Sequence, residues 1–322
     1  MIGCSVIVCV HNRPAALATC LSSLVSQLSQ SRELVVVDDG STEDVRQVVT
    51  SLRNRHTTLA ITFLRHREQR GVSAARNTGI AATRGDIIAF LDSDCRAAPD
   101  WLDNLVHGLR RIRASAASGM VVDKDPDNAG ELAHQGAGRI GVGWGQNRHL
   151  VGCNMAFDGA ILRQYGFDPE LEYGGDEDEL AWRLRRDGHL IAFVRNAIVY
   201  HHHATTAMGY LATGWRLGRG TTLYLVKRRH FIGRDLWPTF LALATAPIAV
   251  TAHRLILIPL GFLGLQVVAL MMNELIYKRK PFLSAITVLP LVTAHSFVKA
   301  ASVLTTLVRT CCTRSALTSD GR

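Results

Sequence analysis

The sequence predicts an α/β protein: a doubly wound, mostly parallel sheet followed by C-terminal membrane helices. Three observations lead there. Short β-rich runs alternate with amphipathic segments of helical length over the first hundred residues, a spacing that implies parallel strands joined by crossover helices. Those strands are apolar without interruption, as in sheets covered on both faces. The last third holds three long runs free of Asp, Glu, Lys and Arg, at 236–252, 255–273 and 281–298. A spanning helix needs ~20 mostly apolar residues, so the middle run reaches that length and its neighbours are marginal.

Taken in order, "CSVIVCV" (4–10), "ELVVVD" (33–38), "LAITFL" (59–64) and "DIIAFL" (86–91) read as strands, with helices over 14–29, 43–54 and 73–83 between them. The polar residues fall at the strands' carboxyl ends: His11 and Asn12, Asp38 and Asp39, Asp92 and Asp94. Ligands of doubly wound sheets bind in that crevice. Past residue 115 the pattern loosens, until "EYGGDEDELAWRLRRDGH" (172–189) enters a helix and "LIAFVRNAIVYHHH" (190–203) forms a late strand. Three regions follow: a ligand-binding domain over 1–205, a basic and aromatic interfacial segment over 206–234, and membrane-associated helices, two or three in number, over 235–322.

Charge divides the same way. Residues 1–204 carry 22 basic and 24 acidic side chains, a net −2, whereas residues 205–322 carry 14 and 3, a net +11. Basic clusters such as "KRRHFIGR" (227–234) and "KRK" (278–280) beside apolar runs fit an anionic cytoplasmic membrane surface better than nucleic acid. Membrane lipids are therefore an expected partner and nucleic acid is not. "MIGCSVIVCV" lacks a basic leader and reads as a strand rather than a signal peptide. The seven cysteines, at 4, 9, 20, 95, 153, 311 and 312, show no paired metal-type spacing. Cys4 and Cys9 fit a reduced core strand, which places the first half in a reducing cytosol.

Four segments carry chemistry. Asp38 and Asp39 in "VVVDDGSTEDV" can accept hydrogen bonds from a nucleobase or ribose, although Ser41 or Thr42 with Asp44 also reads as a helix cap. "RGVSAARNTG" (70–79) sets Arg76 and Asn77 in the first turns of a helix, where phosphate oxygens are welcome. "LDSDC" places Asp92 and Asp94 at a strand end, and two carboxylates so close suit a divalent cation such as Mg²⁺ or Mn²⁺. "GGDEDEL" packs Asp176 to Glu179 behind two glycines. Four acids exceed what a helix dipole asks for, which leaves room for a general base. The triplet His201 to His203 at the tip of the late strand offers a further metal ligand.

These segments together resemble family 2 glycosyltransferases of the GT-A fold, over roughly residues 4–205. The resemblance rests on "SVIVCVHNRPAALATCLSSLVSQ", "ELVVVDDGSTEDV", "GVSAARNTGIAATRGDIIAFLDSD", "GCNMAFDGAILRQYGFDPEL" and "GGDEDELAWRLRRDGH" in that order. It implies an inverting transferase that takes a nucleotide-diphosphate sugar and needs Mg²⁺ or Mn²⁺. Residue by residue, it puts Asp38 and Asp39 at the base and ribose. Arg76 and Asn77 fall near the sugar diphosphate, and Asp92 and Asp94 at the metal, with Asp94 the better candidate for direct ligation. His201 or His203 would complete the site, and His11 and Asn12 would lie at the donor. The family's base comes from a Glu-Asp pair after glycine; here the order is Asp176-Glu177, so Glu177 and Asp176 both stay open. The Gln-x-x-Arg-Trp motif of processive synthases has no counterpart, "GWRLGRG" (214–220) being the nearest segment. The resemblance thus implies transfer of one or a few sugars. With the apolar tail, the acceptor becomes a lipid-linked or membrane-proximal glycan, in cell-envelope polysaccharide synthesis, with the catalytic domain facing the cytoplasm.

Two rival readings differ in testable ways. A nucleotidyltransferase needs a glycine-rich basic loop after the first strand, where this chain has "HNRPAAL". A silent nucleotide-sugar-binding scaffold would bind donor without turning it over, and the reordered Asp176-Glu177 is its best support.

Overall fold

The computed structural model of the chain describes residues 3–28, 31–123, 129–134, 150–202, 206–228, 241, 257–277 and 282–319. They form two compact units: residues 1–124 with 138–203, and residues 125–137 with 204–322.

The first unit is built on one mixed sheet. Strands β1 (Cys4–Val10), β2 (Arg32–Asp38), β3 (Ala60–Arg65) and β4 (Ile87–Leu91) match the predicted runs to within a residue or two at either end. All pair in parallel, in the order β3-β2-β1-β4. The helices between them are α1 (Pro14–Leu24), α2 (Val45–Arg55) and α3 (Val72–Ala82), α1 stopping short of the expected residue 29 in a 3₁₀ turn over Val25–Gln27. Side chains alternate across the sheet, as the two-residue period of a strand requires. Val6, Val8 and Val10 of β1 join Leu17 and Leu21 of α1, Val49 of α2, and Trp101 and Leu105 of α4 (Trp101–Ile112) in one core. Ile7 of β1 and Phe90 of β4 instead face Ala75 and Ile80 of α3, with Leu180 and Leu184 of a later helix, in the other. A sheet buried on both faces explains the uninterrupted apolar runs.

The second half of the sheet reverses direction. Beyond β4 come β7 (Asn154–Asp158), β6 (Ala116–Asp123), β8 (Ile191–His201) and the short β5 (Cys95–Ala97). β7 runs antiparallel to both β4 and β6, β6 pairs in parallel with β8, and β5 pairs antiparallel with β8. β5, β6 and β7 lie among the strands that hydropathy did not resolve. One buried amide holds this half together. Asn154 is fully buried; its Oδ1 accepts from Trp101 Nε1 at 2.8 Å, and its Nδ2 donates to the carbonyls of Met120 and Ala197 at 2.9 Å. One side chain thus ties α4, β6 and the β8 segment to β7. Helix α6 (Gly159–Tyr165), capped by Asp158, and helix α7 (Asp176–Arg186) complete the unit.

The second unit is helical: α5 (Ala129–His134), α8 (Ala207–Arg228), α9 (Leu257–Met272) with a π turn over Asn273–Tyr277, and α10 (Phe282–Ser319). α8 and α10 approach closely at small residues. A Cβ on Gly218 would lie 2.6 Å from the Lys299 carbonyl oxygen, and Ser302 Oγ donates to the Trp215 carbonyl at 2.6 Å. Tyr210 stacks on His295 with centroids 4.3 Å apart. Among the described residues, one helix, Phe282–Thr310, is long and apolar enough to cross a membrane. α9 has 16 residues, about 24 Å of rise, short of a ~30 Å hydrocarbon layer. The 236–252 run, apart from residue 241, and most of the "KRRHFIGR" and "KRK" clusters lie outside the described residues.

Leaving the three partners of Asn154 unpaired costs about 1–3 kcal/mol per buried group at most. Asn154→Leu should therefore lower the urea-unfolding free energy by at least about 3 kcal/mol. Asn104→Ala, which removes a solvent-exposed bond to the Asn196 carbonyl, should change it by less than ~1 kcal/mol.

Candidate active site

The site forms where the strand order reverses, at the carboxyl ends of β1, β2 and β4, the place an open α/β sheet offers a ligand. At the end of β1 the chain turns through two left-handed residues, Asn12 and Arg13, both at φ 60°. Asn12 Oδ1 accepts from the backbone N–H groups of Thr42 (2.9 Å) and Glu43 (3.2 Å), and its own N–H donates to Ser41 Oγ at 2.7 Å. His11 Nδ1 meets the Asp39 carbonyl at 2.8 Å, and since a carbonyl only accepts, that nitrogen carries the proton. Both predicted donor-site residues are thus braces between the β1 and β2 ends.

Asp38 and Asp39 are buried, and Asp38 Oδ2 makes no hydrogen bond among the described residues. Asp38 Oδ1 accepts from the Ser41 N–H at 2.9 Å, and its Oδ2 lies 3.3 Å from Arg65 Nη1. Asp39 accepts from the N–H groups of Arg70 and Gly71 at 2.9 Å each, and from His66 Nδ1 at 2.6 Å. The Asp39 carboxylate therefore holds the 66–71 loop on the sheet and fixes where α3 begins.

α3 starts at Gly71, whose φ of 87° suits glycine, and a Cβ there would come within 2.8 Å of Glu172 Cα. The helix is sewn to the segment ahead of α7: Val72 N–H and Ser73 Oγ donate to the carbonyls of Glu172 and Leu171 at 3.0 and 2.6 Å. Asn77 closes the seam, its amide both donating to and accepting from the Phe167 backbone at 2.8 Å. Asn77, predicted near the sugar diphosphate, is spent on this clasp.

Arg76 points into the centre and is buried. Nη1 pairs with Asp176; Nη2 donates to the Gly152 carbonyl at 3.1 Å and reaches Asp92 Oδ1 at 3.4 Å. The guanidinium also lies 5.2 Å from the Phe167 ring centroid and 5.9 Å from that of Phe90. Burial works against its charge, but Asp176, Asp92 and Glu177 outweigh it and hold its pKa above the ordinary value.

The acidic pair follows β4. Asp94 Oδ2 lies 2.9 Å from Arg13 Nη1 and its Oδ1 3.3 Å from His201 Nε2. Burial raises the Asp92 pKa against the pull of Arg76, and the charge of Asp94 raises it further. Burial disfavours the charged His201 ring, yet its hydrogen bond and charge contact with Asp94 prevail and push its pKa up to about 10. The Asp94 carboxylate and the His201 ring meet, with the charge of Asp92 acting on both, and oxygen and nitrogen donors of this kind suit a divalent cation. The predicted alternative, His203, lies outside the described residues; His202 contributes its N–H to the Asp94 carbonyl at 3.1 Å.

The four acids of α7 separate into roles. Asp176 is buried against Arg76. Glu177 is half-buried; burial raises its pKa well above the usual carboxylate range, and Asp176 beside it raises it further. Glu179 is fully buried and grips Arg183 Nε with both oxygens, at 2.9 and 2.8 Å, while Arg183 donates to the carbonyls of Tyr165 and Gly166 at 2.7 Å. This clamp, the Arg13 contact, the Gly152 carbonyl and the two rings around Arg76 escaped sequence reasoning. Only the four-residue spacing of Glu179 and Arg183 signalled any of them.

A switch-point crevice lined by paired acids, above a sheet that turns antiparallel, is the GT-A arrangement. Residues 5–166 match the family model "Glycosyl transferase family 2", and the chain belongs to that family. It is 28% identical over 278 residues to the hyaluronan synthase of Pasteurella multocida, covering 74% of this chain and 28% of that one. The chain spans 28–44% of the length of the first three curated relatives it matches. Among solved structures, mannosyltransferase PcManGT from Pyrobaculum calidifontis, in complex with GDP-Man and Mn²⁺, shares the fold at a TM-score of 0.61 and 22% identity, over 94% of this chain and 86% of that one. S. aureus TarS 1–349 with UDP-GlcNAc does so at 0.55 and 15%, over 91% and 90%.

Glu179→Ala would leave the Arg183 guanidinium without its carboxylate and should cost about 3–5 kcal/mol of unfolding free energy. Arg186→Ala, which removes an exposed pair with the adjacent Asp187, should cost under ~1 kcal/mol in the same urea titration.

Proposed function

We propose that the chain is an inverting glycosyltransferase moving a sugar from a nucleotide-diphosphate donor to a hydroxyl of a lipid-linked or membrane-proximal glycan. The observation that carries this reading is the convergence of Asp92, Asp94, His201 and Arg76 with a protonatable Glu177 at the sheet's carboxyl end. The structural neighbour solved with GDP-Man and Mn²⁺ supports a nucleotide sugar and a divalent cation as its partners.

Asp94 and His201, with Asp92, would hold Mg²⁺ or Mn²⁺, which when bound neutralises diphosphate charge. Arg76 keeps Asp92 and Asp176 in place and adds positive charge near the leaving group. Asp176 is occupied by that arginine, so Glu177 is the base. It takes the proton of the acceptor hydroxyl as that oxygen bonds to the anomeric carbon and the carbon–diphosphate oxygen bond breaks on the opposite face. A single displacement inverts the centre. The apolar Phe282–Thr310 helix and the basic last third favour a membrane location with the catalytic unit on the cytoplasmic side. The absence of a Gln-x-x-Arg-Trp motif favours transfer of one or a few sugars over polymer synthesis.

A panel of nucleotide sugars offered with Mn²⁺ should yield a nucleoside diphosphate from at least one donor. Because Glu177 must be ionised to act and its pKa is raised, kcat should climb with pH along a limb well above the usual carboxylate range. Glu177→Gln should lose roughly 10²–10⁴-fold in kcat, keep donor affinity and flatten that limb. A variant with full activity and an unchanged profile would remove Glu177 from the mechanism.

A further inference from the structure

Two thiols beside the acidic pair have no part in the reaction above. Cys95 Sγ, Cys153 Sγ and a ring nitrogen of His201 lie within 4.8 Å of one another. Cys95 follows Asp94 and stands opposite His201 in the β5–β8 ladder, while Cys153 immediately precedes β7, so three strand ends bring them together. Both thiols are buried. Asp94 borders this group, its Oδ1 being 3.3 Å from His201 Nε2 and 3.9 Å from Cys95 Sγ. In a tetrahedral zinc site, bonds of ~2.3 Å to sulfur and ~2.0–2.1 Å to nitrogen or oxygen set neighbouring donors ~3.3–3.8 Å apart. The three donors stand within 4.8 Å of one another, so drawing them onto one ion asks for side-chain shifts of about an ångström at most.

We propose that Cys95, Cys153, His201 and Asp94 form a four-coordinate site for a thiophilic divalent cation, Zn²⁺ above all. Thiolates select such ions, whereas the carboxylate-rich side of Asp94 toward Asp92 suits Mg²⁺ or Mn²⁺. Binding releases to solvent both thiol protons and one proton of the His201 imidazolium, since thiolates and a neutral imidazole are the coordinating forms. His201 and Asp94 are then shared between two positions, and an ion held by the thiols withdraws them from the other. Zn²⁺ is therefore a competitive antagonist of the catalytic cation; this consequence rests on the proposed function, while the binding itself does not.

The test titrates the full chain, kept reduced, with Co²⁺ alone as a spectroscopic probe. Expected are a thiolate-to-cobalt charge-transfer band and strong tetrahedral d–d absorption, saturating at one ion per chain and lost on adding Zn²⁺. Losing a hydrogen-bond partner of a metal ligand already costs roughly 10–100-fold in affinity, so Cys153→Ser and Cys153→Ala should each weaken binding by at least ~100-fold. A weak octahedral spectrum without charge transfer, unaltered by either variant, overturns the proposal. Should the variants unfold, X-ray absorption on the zinc-loaded wild type decides: two sulfur ligands support the site and none overturns it. In turnover assays Zn²⁺ should inhibit the Mn²⁺-supported reaction of the wild type and spare Cys153→Ser. A chain that binds Co²⁺ through sulfur but transfers no sugar upholds the site and refutes the reading of function.

Discussion

The site is governed by one constraint of charge. Asp92, Asp94, Asp176 and Glu177 crowd the carboxyl end of the sheet, and among the described residues Arg76, Arg13 and His201 face them. Arg76 is the only one of the three that is buried, and it bridges β4 to α7 by touching a carboxylate on each. A buried guanidinium needs such partners, because an isolated ion in the interior costs several kcal/mol. Much of the surrounding architecture serves to deliver them. Asn77 and Ser73 clasp α3 to the segment ahead of α7, the Glu179–Arg183 clamp fixes α7 from below, and Phe90 and Phe167 shield the guanidinium.

The same constraint divides labour among the acids. Asp176 is neutralised by Arg76, which leaves Glu177 beside a charge it cannot escape; its proton is held the more tightly for that. Asp92 and Asp94 repel one another, and among the described residues Arg76, Arg13 and a protonated His201 stand against them. A divalent cation relieves the repulsion more completely than any side chain present, because it brings two charges to one point. Membership of the family follows from the match over residues 5–166.

The parallel half of the fold was legible in sequence because strands buried on both faces leave unbroken apolar runs. The antiparallel half was not. β5 has three residues, and β6 begins with small residues, Ala116, Ala117, Ser118 and Gly119, that carry little hydropathic signal. Its organiser, Asn154, is a buried amide that looks like a loop residue until its three partners are seen. At the site, the acids at the strand ends stood out through their abrupt contrast with the strands before them. The braces did not. Asn12, Asp39 and Asn77, expected as ligand contacts, also bond to groups 27–90 residues away in sequence, partners that no local pattern announces. Cys95 and Cys153 show no metal-type spacing and meet only through the sheet.

The measurement that bears most directly on the charge argument is Mn²⁺ binding to the full chain, followed by electron paramagnetic resonance as the free-ion signal disappears. The wild type should take up one Mn²⁺ in the presence of a nucleoside diphosphate. Asp94→Asn, which keeps the shape of the side chain and removes its charge, should leave the fold intact by circular dichroism and the Mn²⁺ signal free. Equal uptake by both proteins would contradict the account, since the acids after β4 would then not be what holds the cation.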